Sequence, residues 1–144
     1  MKGRGWSTSR GSLGIWVPGP GLVIGRITGH GEADFVSPIV QGLEQELAAE
    51  ESVKLFFDVA KMTNYDSLLR TRLTVRFSQD RPRIRTIAVL VSSKIVAMGV
   101  AVANLALGGL VSSYSARGPF SEALDRELRT AGVVSFSSRV LLAA

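Results

Sequence analysis

Ser67, His30 and Asp34 are the residues whose types could form a nucleophile, a base and an orienting acid. Ser67 follows Asp66 within DVAKMTNYDSLL, residues 58–69, and His30 is the only histidine in the chain. A small hydrolase built this way would need the two loops that carry them to meet. It would also need an oxyanion pocket, and no nucleophile-elbow pattern of glycines surrounds Ser67. His30 with Glu32 and Asp34 makes a second candidate set, for a metal ion. One histidine and two loop acids, with no further ligands at suitable spacing, predict no metal site. Gly-x-Gly pairs at 19–21 and 29–31 do not continue into a phosphate loop, so no nucleotide or other cofactor is expected. Without cysteine, disulfides, thiolate catalysis and thiolate-bound zinc are excluded. The chemistry-bearing residues thus argue for binding rather than catalysis.

The elements that must position these residues follow from spacing. LGIWV and GLVIGRIT flank Pro18-Gly19-Pro20-Gly21, two strands joined by a turn. Ser37-Pro38 opens a helix over 37–50, with serine as N-cap and proline at the first helical position. Ile39, Val40, Leu43 and Leu47 form its apolar face. VKLFFDV is a third strand that ends at Asp58, and a polar loop leads into a helix over 66–79, with Leu69, Leu73 and Phe77 on one side. Asp66 there is expected to accept amide hydrogen bonds at the start of that helix. IRTIAVLV is a fourth strand, residues 93–106 a third helix, GLVSSYS a fifth strand and 119–129 a fourth helix. Leu43, Leu47, Phe57, Leu73, Phe77, Val89 and Leu124 are the expected core. Strands separated by single helices require right-handed crossovers and parallel neighbours, and the opening hairpin adds an antiparallel edge. In such sheets, binding loops lie beyond the carboxyl ends of the parallel strands. DVAKMTNYDSLL and the segment from Thr28 to Asp34 both fall at that end.

Length and composition bound the rest. The 144 residues make one domain with a sizeable core. Of the net charge of +5, most sits at the amino end, where residues 1–31 carry Lys2, Arg4, Arg10 and Arg26 and no acid. MKGRGWSTSRGSL lacks the apolar stretch of a signal peptide, so 1–12 is expected to be a flexible basic segment. Ile95 to Val111 has no charge, but Asn104 and Gly108-Gly109 interrupt it, and it falls short of the about 20 residues of a membrane span. A helix, a glycine stop and a buried strand explain the same letters. Arg70, Arg72, Arg76, Arg81, Arg83 and Arg85 are opposed only by Asp80. Without interleaved aromatics or a recognisable module, this stretch predicts solvated helix and loop rather than nucleic-acid binding.

DVAKMTNYDSLL resembles the signature of STAS domains of the anti-anti-sigma-factor type (SpoIIAA-like), roughly D-L-S-x-V-x-F-[IM]-D-S-[ST]-G-L. Asp58 falls on the strand-ending acid, Met62 and Tyr65 on apolar positions, Asp66 on the signature aspartate. Ser67 falls on the serine that a partner kinase phosphorylates in regulated members, while Leu68 and Leu69 replace a second hydroxyl and a glycine. Ile27 to Asp34 is similar to the turn before the family's first helix, and TIAVLVSSKI and GPFSEALDREL to its later strand and closing helix.

The resemblance spans roughly 13–130 and implies an α/β fold. That fold is a mixed four- to five-stranded sheet with about four helices packed mainly on one face. Residues 131–144 form a tail with room for an extra strand. The resemblance also implies a non-enzymatic, bacterial, cytoplasmic regulatory domain that binds a protein partner, such as a kinase-type anti-sigma factor. Its docking loop would comprise Asp66, Ser67, Leu68, Arg70, Asn64, Asp34 and His30, with Ser67 as phosphoacceptor and Arg70 placed to pair with the phosphate. The alternative keeps the fold and drops the switch: a ligand- or lipid-binding module using an apolar pocket between the sheet and the third helix.

Overall fold

The computed structural model describes residues 3–133. Six strands form one sheet in chain order: β1 (Arg4–Ser7), β2 (Gly11–Gly19), β3 (Leu22–Gly31), β4 (Val53–Tyr65), β5 (Ile84–Leu90) and β6 (Val111–Tyr114). The first three pair antiparallel, and β3 to β6 run parallel. The helices are α1 (Val36–Ala49), α2 (Ser67–Gln79), α3 (Lys94–Ala106) and α4 (Arg117–Thr130). The parallel strands advance in one direction across the sheet, so right-handed crossovers place α1, α2 and α3 on the same face. No strand follows α4 among the described residues, and it covers the other face. There Phe120, Leu124 and Leu128 meet Ile24, Phe56 and Leu90. Being covered on both sides explains the unbroken apolar run of β4, where Leu55 and Phe57 face one core and Phe56 the other.

The sixth strand corrects the expected count of four to five. Arg4–Ser7 lies within the segment expected to be flexible, yet it pairs with β2 from Arg4↔Ile15 to Ser7↔Ser12. RGWS has no readable apolar period. Backbone pairing holds it, together with Trp6, which packs on the core beneath the Arg4 guanidinium. The extra strand allowed for in the tail lies outside the described residues from 134 on.

A second correction concerns DVAKMTNY, which is strand and not loop. β5 ends opposite Asp58, but β4 continues to Tyr65 beside β3 alone, from Thr28↔Lys61 to Gly31↔Tyr65. Two register shifts each insert an extra residue into β4. The inward side chains are therefore Val59, Met62 and Tyr65, three apart, a spacing that hides the strand's period of two.

The start of α1 also differs. A 3-10 turn, Ala33–Phe35, precedes it, and the helix begins at Val36, so Ser37 lies exposed in its first turn and does not cap it. Six of the seven expected core residues are buried, and Leu73 is half-buried at a cavity described below. The uncharged run resolves as α3, then Gly108 and Gly109 in left-handed backbone, then β6. No helix among the described residues is long and apolar enough to cross a membrane.

Candidate functional site

At the carboxyl end of β3 and β4, the segment between β1 and β2 folds over the start of α2. Gly29 takes a φ of 80°, and the space left by its missing side chain admits the Arg10 carbonyl, which accepts the His30 N–H at 3.0 Å. Arg10 is thereby set against Glu32. Its Nε donates to Oε1 at 2.9 Å and its Nη2 to Oε2 at 2.6 Å, while the Thr8 hydroxyl donates to Oε1 at 2.9 Å. The paired guanidinium holds the Glu32 carboxyl below the usual carboxylate range, and the hydrogen bond to the Glu32 carboxylate in turn raises the pKa of Arg10.

Asp66 stands at the N-cap position of α2, where its carbonyl accepts the Leu69 N–H at 2.9 Å. Its carboxylate leaves that helix uncapped, contrary to expectation. Oδ1 lies 2.8 Å from His30 Nε2, and Oδ2 accepts the Ala33 N–H at 2.8 Å. The acid therefore caps the 3-10 turn that leads into α1, an element more than thirty residues upstream in the chain. The His30 hydrogen bond and then the Ala33 amide lower its pKa, with help from Arg10 3.7 Å away.

This arrangement rearranges both candidate sets. Ligand atoms of His30, Glu32 and Asp66 lie within 4.8 Å of one another, so Asp66 and not the exposed Asp34 completes the trio. The Arg10 fork already bonds both Glu32 oxygens, so the chain's own cation fills the place a metal would take. For nucleophilic chemistry, no hydrogen bond among the described residues joins Ser67 to His30, whose Nε2 is directed to Asp66. Ser67, Leu68, Asn64 and Asp34 are exposed, Asn64 accepting the Tyr65 N–H at 2.8 Å. Nothing in the sequence signals Thr8 and Arg10, because only the fold brings them to Glu32.

A second feature lies beneath α2 and α3. An apolar cavity of about 120 Å³ opens between these helices and the sheet. Val59 and Met62 line it from β4, Leu73 and Phe77 from α2, Val100 and Ala103 from α3. It matches the pocket expected at the third helix, with α2 contributing a wall as well. Tyr65 leans across its upper part onto the backbone of α3 at Gly99, where any side chain would overlap the phenol hydroxyl. Arg70 borders the cavity, its Nη1 donating to the Tyr65 hydroxyl at 3.4 Å. A glycine inside an otherwise apolar helix signals such a close approach, although the sequence does not name the partner.

The basic stretch is largely consumed by the fold. Arg76 pairs with Glu44 and Asp80, each at 2.7 Å. Arg81 donates to the Leu107 carbonyl at 2.8 Å, and Arg83 to those of Leu47 and Glu50 at 2.7 and 2.8 Å. Both thus satisfy carbonyls at helix carboxyl ends, where a cation also suits the helix dipole. The solvent-facing side of α3 carries Ile95, Met98, Val102 and Leu105 at alternating spacings of three and four, all exposed.

Comparison with known proteins adds the fold and no more. No family model matches the sequence, and no curated protein does. Among solved structures, the chain is similar to an uncharacterised protein of the DUF3478 family with a SpoIIAA-like fold from Shewanella loihica PV-4. The TM-score is 0.57 at 14% identity, over 84% of this chain and 98% of that one. The chain therefore has a SpoIIAA-like fold, in a divergent form.

Proposed function

We propose that this chain is a non-enzymatic binding domain that takes a small apolar ligand into the cavity between its sheet and the α2–α3 pair. The observation that carries this reading is the cavity itself: about 120 Å³, walled mainly by aliphatic and aromatic side chains of the sheet, α2 and α3. Engineered apolar cavities of ~150 Å³ stay dry and take up benzene-sized molecules. The non-catalytic part of the proposal rests on the neighbouring site, where the only histidine bonds Asp66 and leaves Ser67 without a base. Two methionines provide the test. Met62 lines the cavity, and Met98 is exposed on the outer side of α3. Titration of methyl-labelled protein with toluene should shift the Met62 methyl saturably and leave the Met98 methyl in place. No shift at Met62, or equal drift at both, would refute the cavity as a binding site.

A second reading is favoured by the exposure of Ser67 and Leu68 in the first turn of α2. Here the domain regulates a protein partner, such as a kinase-type anti-sigma factor, and phosphorylation of Ser67 weakens the contact by adding negative charge beside Asp66. Arg70 is turned to Tyr65, so a phosphate there would draw on it only if that hydrogen bond were given up. Ser67→Ala should leave thermal stability unchanged. Peptide mass analysis of the protein from its native cells should find phosphate on Ser67, and uniformly unmodified Ser67 would count against the switch.

A further inference from the structure

We infer that the ligand of the α2–α3 cavity is an anionic amphiphile, an apolar body carrying a carboxylate that Arg70 and the Tyr65 hydroxyl receive at the cavity's edge. This rests on the reading of the cavity as a binding site and names the chemical class that fits it.

Arg70 is the one charged residue among those lining the cavity. Its neighbours in the basic stretch show what a satisfied arginine looks like in this fold: Arg76 has two carboxylates, and Arg81 and Arg83 have carbonyls. Arg70 has no carboxylate partner among the described residues, and its bond to the Tyr65 hydroxyl is long at 3.4 Å. It is half-buried against an apolar wall, and its unpaired N–H groups stay open to solvent at the cavity's edge, where a ligand's charged end can reach them. A carboxylate would meet the planar fork with paired, charge-assisted hydrogen bonds, and the phenol hydroxyl could donate to the same group.

The rest of the wall selects the body of the ligand. Leu73 and Thr74 follow Arg70 along α2, and Thr74 spends its hydroxyl on the Arg70 carbonyl at 2.7 Å. Below them the lining is aliphatic and aromatic, which leaves no partner for a second polar group. A cavity of about 120 Å³ accommodates an unbranched or aromatic body of roughly six to eight carbons. A monocarboxylate of that size satisfies the volume, the apolar wall and the single cation together. A neutral alcohol leaves the guanidinium unpaired, and an amine places like charges together.

Three probes of matched length separate these cases: octanoate, 1-octanol and octylamine, each titrated by calorimetry at neutral pH below its aggregation concentration. Wild-type protein should bind octanoate at least about tenfold more tightly than octanol, and octylamine most weakly. Arg70→Gln should remove the preference for octanoate and leave octanol binding within about twofold of wild type. Tyr65→Phe should cost octanoate a smaller, few-fold loss. Octanol binding as tightly as octanoate to wild type overturns the assignment of Arg70 while the cavity reading stands. No binding of any probe overturns both. The wild-type comparison decides the matter even if a variant fails to fold.

Discussion

Ala103→Leu fills the cavity from the α3 wall and should make the protein more stable and less able to bind. An unfilled cavity costs ~24 cal/mol per Å³, so a volume of about 120 Å³ represents ~3 kcal/mol of foregone packing. The added isopropyl group, at ~0.8 kcal/mol per buried carbon, is worth up to about 2.4 kcal/mol. Leucine and alanine differ little in helix propensity, so the backbone contributes little to the difference. Imperfect fit between an ideal rotamer and the fixed wall subtracts from the gain. The net expectation is about 1–2 kcal/mol of added stability, read by urea denaturation as a higher midpoint at unchanged slope. In the same variant the Met62 methyl should no longer respond to toluene. Stability gained together with binding lost is the signature of a site that keeps space open for a ligand. A variant destabilised by more than about 1 kcal/mol that still binds toluene would refute the reasoning, because the volume would then lie elsewhere.

Three other perturbations probe the frame around the site. Phe120→Ala should cost about 3–5 kcal/mol in chemical denaturation, since Phe120 is fully buried and meets Phe56 and Tyr114 edge-on, each at 5.8 Å. Gly99→Ala should cost about 1–3 kcal/mol by forcing Tyr65 off α3, and Tyr65→Phe in that background should restore part of the loss. Asp66 and Glu32 are both held below the usual carboxylate range, so between their folded and unfolded pKa values the folded chain binds fewer protons. Their contribution is complete above about pH 5, beyond both unfolded values, and is lost as pH falls through the folded values. Urea midpoints measured from about pH 6 to about pH 3 should therefore fall more steeply for wild type than for Asp66→Asn.

What the sequence made legible was whatever a single element encodes by itself. Leu69 and Phe77 share a helix face at any register, and IRTIAVLV must be buried wherever it pairs. Gly108-Gly109 stops α3 through its own backbone preference. The elements that escaped the sequence depend on a partner. RGWS becomes a strand because β2 offers it an edge, and Val59, Met62 and Tyr65 face inward because β4 bulges twice against β3. The direction in which the parallel strands advance gives one face to α1, α2 and α3 and leaves the other for α4 to cover, which no segment reveals alone. The cavity was legible as a place, between the sheet and the third helix. Its charged edge was not, because the long hydrogen bond of Arg70 to Tyr65 is a fact of the folded state.

The Asp66-Ser67 pair shows how local and global roles divide between adjacent residues. An acid before a serine at a helix start predicts that the acid caps that helix. Here the Asp66 backbone occupies the N-cap position, but its carboxylate turns back to Ala33 and His30 and holds the entry to α1. It can do so because β3 and β4 end side by side, with Gly31 opposite Tyr65, and the Asp66 N–H bonds the Gly31 carbonyl at 2.8 Å. That bond fixes the distance from Asp66 to the turn that begins two residues after Gly31. Ser67, next along the helix, is released from that task and faces solvent. The two side chains diverge. Asp66 is consumed by the joint among β3, α1 and the β1–β2 segment, and α2 is left to present Ser67 and Leu68 outward and Leu69, Arg70 and Leu73 to the cavity.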